Sequence, residues 1–116
     1  MKESKHERAL AAALEMYGSD LEPHVREAKA IPGRDFRFDF AFTEARVLIE
    51  IQGGTFAKGR SAHTGASLMR DFEKQNLAVC NGWRVLLFGA RDMTARTLPA
   101  TVDTIRKAIA AKEAAV

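Results

Sequence analysis

Between residues 34 and 42 the stretch RDFRFDFAF places phenylalanine at every second position, with Asp35, Arg37, Asp39 and Ala41 between Phe36, Phe38, Phe40 and Phe42. A side-chain period of two is the mark of a β-strand with one buried face. Thr43, Glu44 and Ala45 make a short connection, and residues 46–52, RVLIEIQ, follow as an almost continuous apolar run of the kind found in strands covered on both faces. The two runs predict an antiparallel hairpin at the centre of the fold. Asp39, Glu50 and Gln52 interrupt it, and polar groups removed from water need partners.

The flanking sequence supplies helices. Residues 4–18 carry Leu10, Leu14 and Tyr17 at helical spacing, an S-x-x-E capping box at Ser4 and Glu7, and Gly18 as a stop. A first strand is expected over 25–31, closed by the Pro32-Gly33 turn. Residues 68–81 read as a helix with Leu68, Phe72 and Val79 on one stripe, Asp71, Lys74 and Ala78 on another, and Gly82 past its end. A buried strand over 83–88, WRVLLF, follows, and then a helix over 92–112 that turns Val102, Ile105, Ala108 and Ile109 inward.

The predicted fold is therefore a single α/β (α+β) domain of 116 residues, a mixed four-stranded sheet flanked by helices in the order α-β-β-β-α-β plus a C-terminal helix. No apolar run approaches the roughly 18 residues of a membrane span, and no signal-peptide core is evident, so a cytoplasmic location is expected. The single cysteine, Cys80, excludes an internal disulfide and is expected to be a small core residue. A formal charge of +3 suits a polyanionic partner. Lys58, Arg60 and His63 fall in one Gly-rich stretch, GGTFAKGRSAHTGAS, with Arg70 and Lys74 just after it.

Strand alternation places Glu50 and Gln52 on the face opposite Val47, Ile49 and Ile51, and a short hairpin brings Asp39 opposite Glu50. Two carboxylates that close repel unless a proton or cation lies between them, and an oxygen-rich set suits Mg²⁺ or Mn²⁺. Such an ion beside a phosphodiester suits hydrolysis.

Phe38-Asp39, ten intervening residues, then Glu50-Ile51-Gln52 resembles the signature of the PD-(D/E)XK nuclease superfamily, at the short end of its usual spacing. Together with the loop GRSAHTG and the segment DFEKQNLAVCNGWRVLLF, the chain is similar to small phage and mobile-element members related to very-short-patch-repair-like endonucleases, over roughly residues 7–88. The resemblance implies a restriction-endonuclease-like core and a Mg²⁺- or Mn²⁺-dependent endonuclease acting on DNA in processing, recombination or repair. Asp39, Glu50 and the Ile51 carbonyl would be its metal ligands, and Glu7 the acidic residue of the first helix.

Gln52 stands where the motif has lysine, and Lys74 is the candidate replacement cation. Lys58, Arg60, His63 and Arg70 would grip phosphate, which positions a strand without reading its sequence. A domain this small would be structure-selective or nicking, or take specificity from homodimerisation or a partner protein. The rival reading is a nuclease fold that has lost cleavage and serves as a DNA-binding or assembly module.

Overall fold

A computed structural model of the protein describes residues 4–52 and 65–111. The first helix, α1 (Lys5–Tyr17), starts on the expected capping box: Ser4 Oγ accepts the Glu7 N–H and Glu7 Oε1 accepts the Ser4 N–H, both at 3.1 Å. Leu10, Ala13 and Leu14 bury its inner stripe, while Tyr17 lies at the margin, half-exposed. Strand β1 (Val25–Ala28) ends earlier than the sequence suggests. The chain leaves the sheet there for a tight turn in which Pro32 is followed by Gly33 at φ 78° and Arg34 N donates to Ile31 O at 3.2 Å.

Strands β2 (Phe38–Phe42) and β3 (Val47–Gln52) form the hairpin, in the register Phe40↔Ile49, Ala41↔Leu48 and Phe42↔Val47. Helix α2 (Gly65–Cys80) then crosses to β4 (Arg84–Gly89), which pairs with β3 in parallel, and a 3-10 turn (Ala90–Asp92) leads to α3 (Leu98–Ala110). The result is a four-stranded mixed sheet of order β1-β2-β3-β4, antiparallel except for its last pair. The predicted α+β layout is thus present. The final helix starts at Leu98 rather than 92, with Pro99 in its first turn, where a missing N–H costs nothing.

Two cores flank the sheet. Leu10, Leu14, Phe40, Phe42, Val47, Ile49, Val102 and Ile105 form one, beneath α1 and α3; Ala28, Phe36, Phe38, Ala41, Leu48, Ala78 and Trp83 form the other, beneath α2. The four phenylalanines therefore do not share a face, as strict alternation would have it. Phe38 and Phe40 bury on opposite sides, so the pleat breaks at Asp39. Opposite that break, between the pairs Arg26↔Phe40 and Ala28↔Phe38, stands Glu27 at φ 51°, left-handed backbone that a residue with a side chain adopts only under constraint.

Helix α2 packs the other way round from its apolar pattern. Ala78 is fully buried and Asp71 and Lys74 are half-buried towards the sheet, whereas Leu68, Met69, Phe72 and Val79 face solvent. Cys80 lies on the solvent side as well, and is exposed rather than a core residue. The helix closes with paired bonds, Trp83 N to Ala78 O and Gly82 N to Val79 O, around Gly82 at φ 86°. That closure throws Trp83 into the core, where Arg46, itself at φ 60°, stacks on its ring at 4.1 Å.

Candidate functional site

Beyond the last backbone pair of the hairpin, Asp39 and Glu50 stand opposite each other and exchange side-chain bonds with main chain. The Asp39 N–H donates to Glu50 Oε1 at 3.2 Å, and the Ile51 N–H donates to Asp39 Oδ2 at 2.8 Å. Each carboxylate thus fixes the backbone that carries the other. The carboxyl groups themselves diverge. Because the pleat breaks at Asp39, its side chain meets Glu7 of α1, while Glu50 reaches Lys74 of α2, Oε2 to Nζ at 2.6 Å. The single face expected for Asp39, Glu50 and Gln52 is replaced by two adjoining groups.

The first group is acidic. One carboxylate oxygen each of Glu7, Glu27 and Asp39 lies within 4.8 Å of the others. Glu7 caps its helix and still shares a hydrogen bond with Asp39, so the two roles coexist. Burial, the Glu7 hydrogen bond and the Glu50 charge together push the Asp39 carboxyl up to about 8. Burial raises Glu27 too, helped by the charge of Glu7. Glu7 is also driven up by burial, but its bonds to Asp39 and the Ser4 N–H, with the Arg26 charge, bring it below the usual carboxylate range. The raised Asp39 carboxyl and the lowered Glu7 carboxyl suit a hydrogen bond in which Asp39 donates and Glu7 accepts.

The second group is an ion pair. The side chains of Lys74 and Glu50 are only 15% and 21% exposed, and the ammonium also sits 4.5 Å from the centre of the Phe38 ring. Lys74 therefore points into the site. Gln52 ends β3 with an exposed side chain, opposite Gly89 in the parallel register. Arg70 lies one turn before Lys74 on α2 and is exposed. Lys58, Arg60 and His63 lie outside the described residues.

Sequence reasoning missed Glu27. Its signal was the turn: Glu27 and Asp39 each stand six positions from Gly33, so a hairpin centred on Gly33 sets the two opposite one another. Residues 25–31 alternate poorly because the backbone is constrained at Glu27 and leaves the sheet after Ala28.

The donor set is all carboxylate oxygen, hard and anionic, which fits Mg²⁺ or Mn²⁺ and not a soft metal. No protein-family profile matches the sequence, and no curated protein matches it either. Among the described residues no helix is long and apolar enough to cross a membrane.

Proposed function

We propose that the chain is a divalent-metal-dependent endonuclease of PD-(D/E)XK type that hydrolyses DNA phosphodiester bonds in the cytoplasm, by nicking or by selecting branched structures. The observation that carries this reading is the juxtaposition of the Glu50–Lys74 ion pair with the Glu7–Glu27–Asp39 carboxylates, across the main-chain interlock of Asp39 and Ile51. Asp39 would hold Mg²⁺ or Mn²⁺ with Glu50 and the Ile51 carbonyl at the strand ends, and Glu7 and Glu27 would complete the acidic shell. The ion, when bound, would supply Lewis-acid neutralisation of the charge that develops on the phosphoryl oxygens.

The chain's own residues do the positioning. The interlock fixes Asp39 against the end of β3, so that the acidic group and the Glu50–Lys74 pair adjoin, and a bound ion would draw a Glu50 oxygen towards Asp39. Lys74 would serve in place of the motif's lysine at residue 52: its ammonium, held by Glu50 and the Phe38 ring, would offer donors to an attacking water or to a phosphoryl oxygen. Gln52, at the exposed strand end, can add an amide contact to the substrate.

The test is plasmid nicking with Mg²⁺, with and without EDTA, beside a synthetic four-way junction. Nicking that EDTA abolishes and that Asp39→Ala and Glu50→Ala each reduce by at least about a hundredfold supports the reading. Cleavage by those variants at the wild-type rate sinks it. Tight DNA binding without cleavage under any divalent metal would favour the binding-module rival, which the exposed glutamine at position 52 makes specific.

A further inference from the structure

On the α2 side of the sheet the cationic and aromatic side chains form a ladder. Lys74 lies over Phe38 at 4.5 Å, and one turn away on the helix Arg70 lies over Phe36 at 5.5 Å. The rungs match because the i,i+4 step along a helix, roughly 6 Å, equals the i,i+2 rise of an extended chain, roughly 6.6 Å. A second guanidinium shares the outer rung: Arg34 lies over the same Phe36 ring at 4.6 Å. Phe36 is buried, so both planar groups lie against a fixed ring, and both arginines are themselves exposed. Glu73 accepts from Arg34 Nη1 at 2.9 Å and keeps it in this orientation.

We infer that Arg34 and Arg70, stacked on Phe36, clamp the backbone phosphate next to the one presented to Lys74 and the carboxylates. This rests on the nuclease reading and deepens it. The inner rung supplies one ammonium beside acids, which suits a phosphate bridged by metal. The outer rung supplies two guanidinium forks, one of them paired with Glu73, which suits a phosphate held by charge and paired hydrogen bonds alone. The separation of the rungs is of the order of one nucleotide step along a strand. A contact to phosphate alone fixes register on the strand and leaves sequence unread.

The probe is a short fluorescein-labelled DNA duplex, with binding read by anisotropy in EDTA between about 50 and 200 mM salt. Arg34→Gln with Arg70→Gln should lower the slope of log affinity against log salt by roughly 0.9, since the one phosphate that the two arginines clamp is lost. Glu73→Gln, which frees Arg34 from its carboxylate, should bind more tightly than wild type, a gain that a misfolded protein cannot mimic. An unchanged slope in the double variant overturns the clamp, and so does a Glu73→Gln protein that binds no tighter. Because cleavage plays no part in this measurement, the clamp can fail while Asp39→Ala still abolishes nicking. The slope change can equally stand while nicking proves independent of metal.

Discussion

Lys74 Nζ lies 2.6 Å from Glu50 Oε2, so an ammonium reaches the end of β3 from the following helix although residue 52 of that strand is glutamine. The carboxylate and the cation are 24 residues apart in sequence and are joined by the parallel β3–α2–β4 crossover.

Replacing Lys74 should therefore cost both stability and turnover. Lys74→Met leaves Glu50 as a largely buried carboxylate without its partner, and urea unfolding should register a loss of about 1–3 kcal/mol. Nicking should fall by at least about a hundredfold. Gln52→Ala should retain most of both. If the two substitutions behaved alike in the nicking assay, the cation would not be acting from the helix.

The Asp39 proton makes stability depend on pH. Its folded pKa of about 8 lies above the ordinary 3.8, so the folded metal-free protein retains a proton that the unfolded chain releases. Stability from this group is complete at acid pH below 3.8 and is lost as pH rises towards about 8. Glu7, shifted below its ordinary value, acts in the opposite sense and loses its contribution as pH falls through its folded pKa. Thermal unfolding in EDTA should show the alkaline loss in wild type and a flatter profile in Asp39→Asn. Mn²⁺ should remove the loss by replacing the proton, and its affinity should climb with pH over the same interval.

Glu27 exchanges backbone comfort for a carboxylate. Left-handed φ costs a residue with a side chain about 1–2 kcal/mol, and two acidic neighbours add repulsion. Glu27→Gly should raise the melting temperature of the metal-free protein while weakening Mn²⁺ binding by at least about tenfold in calorimetry. A glycine variant that binds Mn²⁺ as wild type does would remove Glu27 from the acidic shell.

Gly82, by contrast, serves the fold alone. At φ 86°, with Arg46 Nη2 3.4 Å from where a Cβ would stand, Gly82→Ala should destabilise the protein by about 1–2 kcal/mol. Its nicking rate at low temperature should stay unchanged.

The elements that the sequence pattern specified well are those decided locally. The Ser4–Glu7 box, the Pro32-Gly33 turn and the Gly82 closure depend on residues a few positions apart, and each appears where its chemistry demands. The apolar run of β3 likewise announced its two covered faces. Phe36 to Phe42 misled because a two-residue period assumes an unbroken pleat, and the break at Asp39 comes from contacts with α1 and β1 that no local pattern contains. The outward turn of Leu68, Phe72 and Val79 has a similar origin. The sheet face under α2 already holds Phe36, Phe38, Leu48 and Trp83, leaving room for Ala78 and for the stem of Lys74. Within the candidate site, Asp39, Glu50 and Glu7 could be named from sequence, and Lys74 needed only its reach established. Glu27 required knowing how the first hairpin pairs.

That pairing turns the segment around Pro32-Gly33 into a ruler. Surface connections ordinarily tolerate inserted or deleted residues. Here one residue more or fewer between Glu27 and Asp39 would slide β1 along β2 by a single position, and a slip of one sends every side chain of a strand to the opposite face. Glu27 would leave the acidic shell although every residue of that shell remained in the sequence. The length of this loop is thus a heritable constraint in its own right, stricter than the identity of most of the residues it contains.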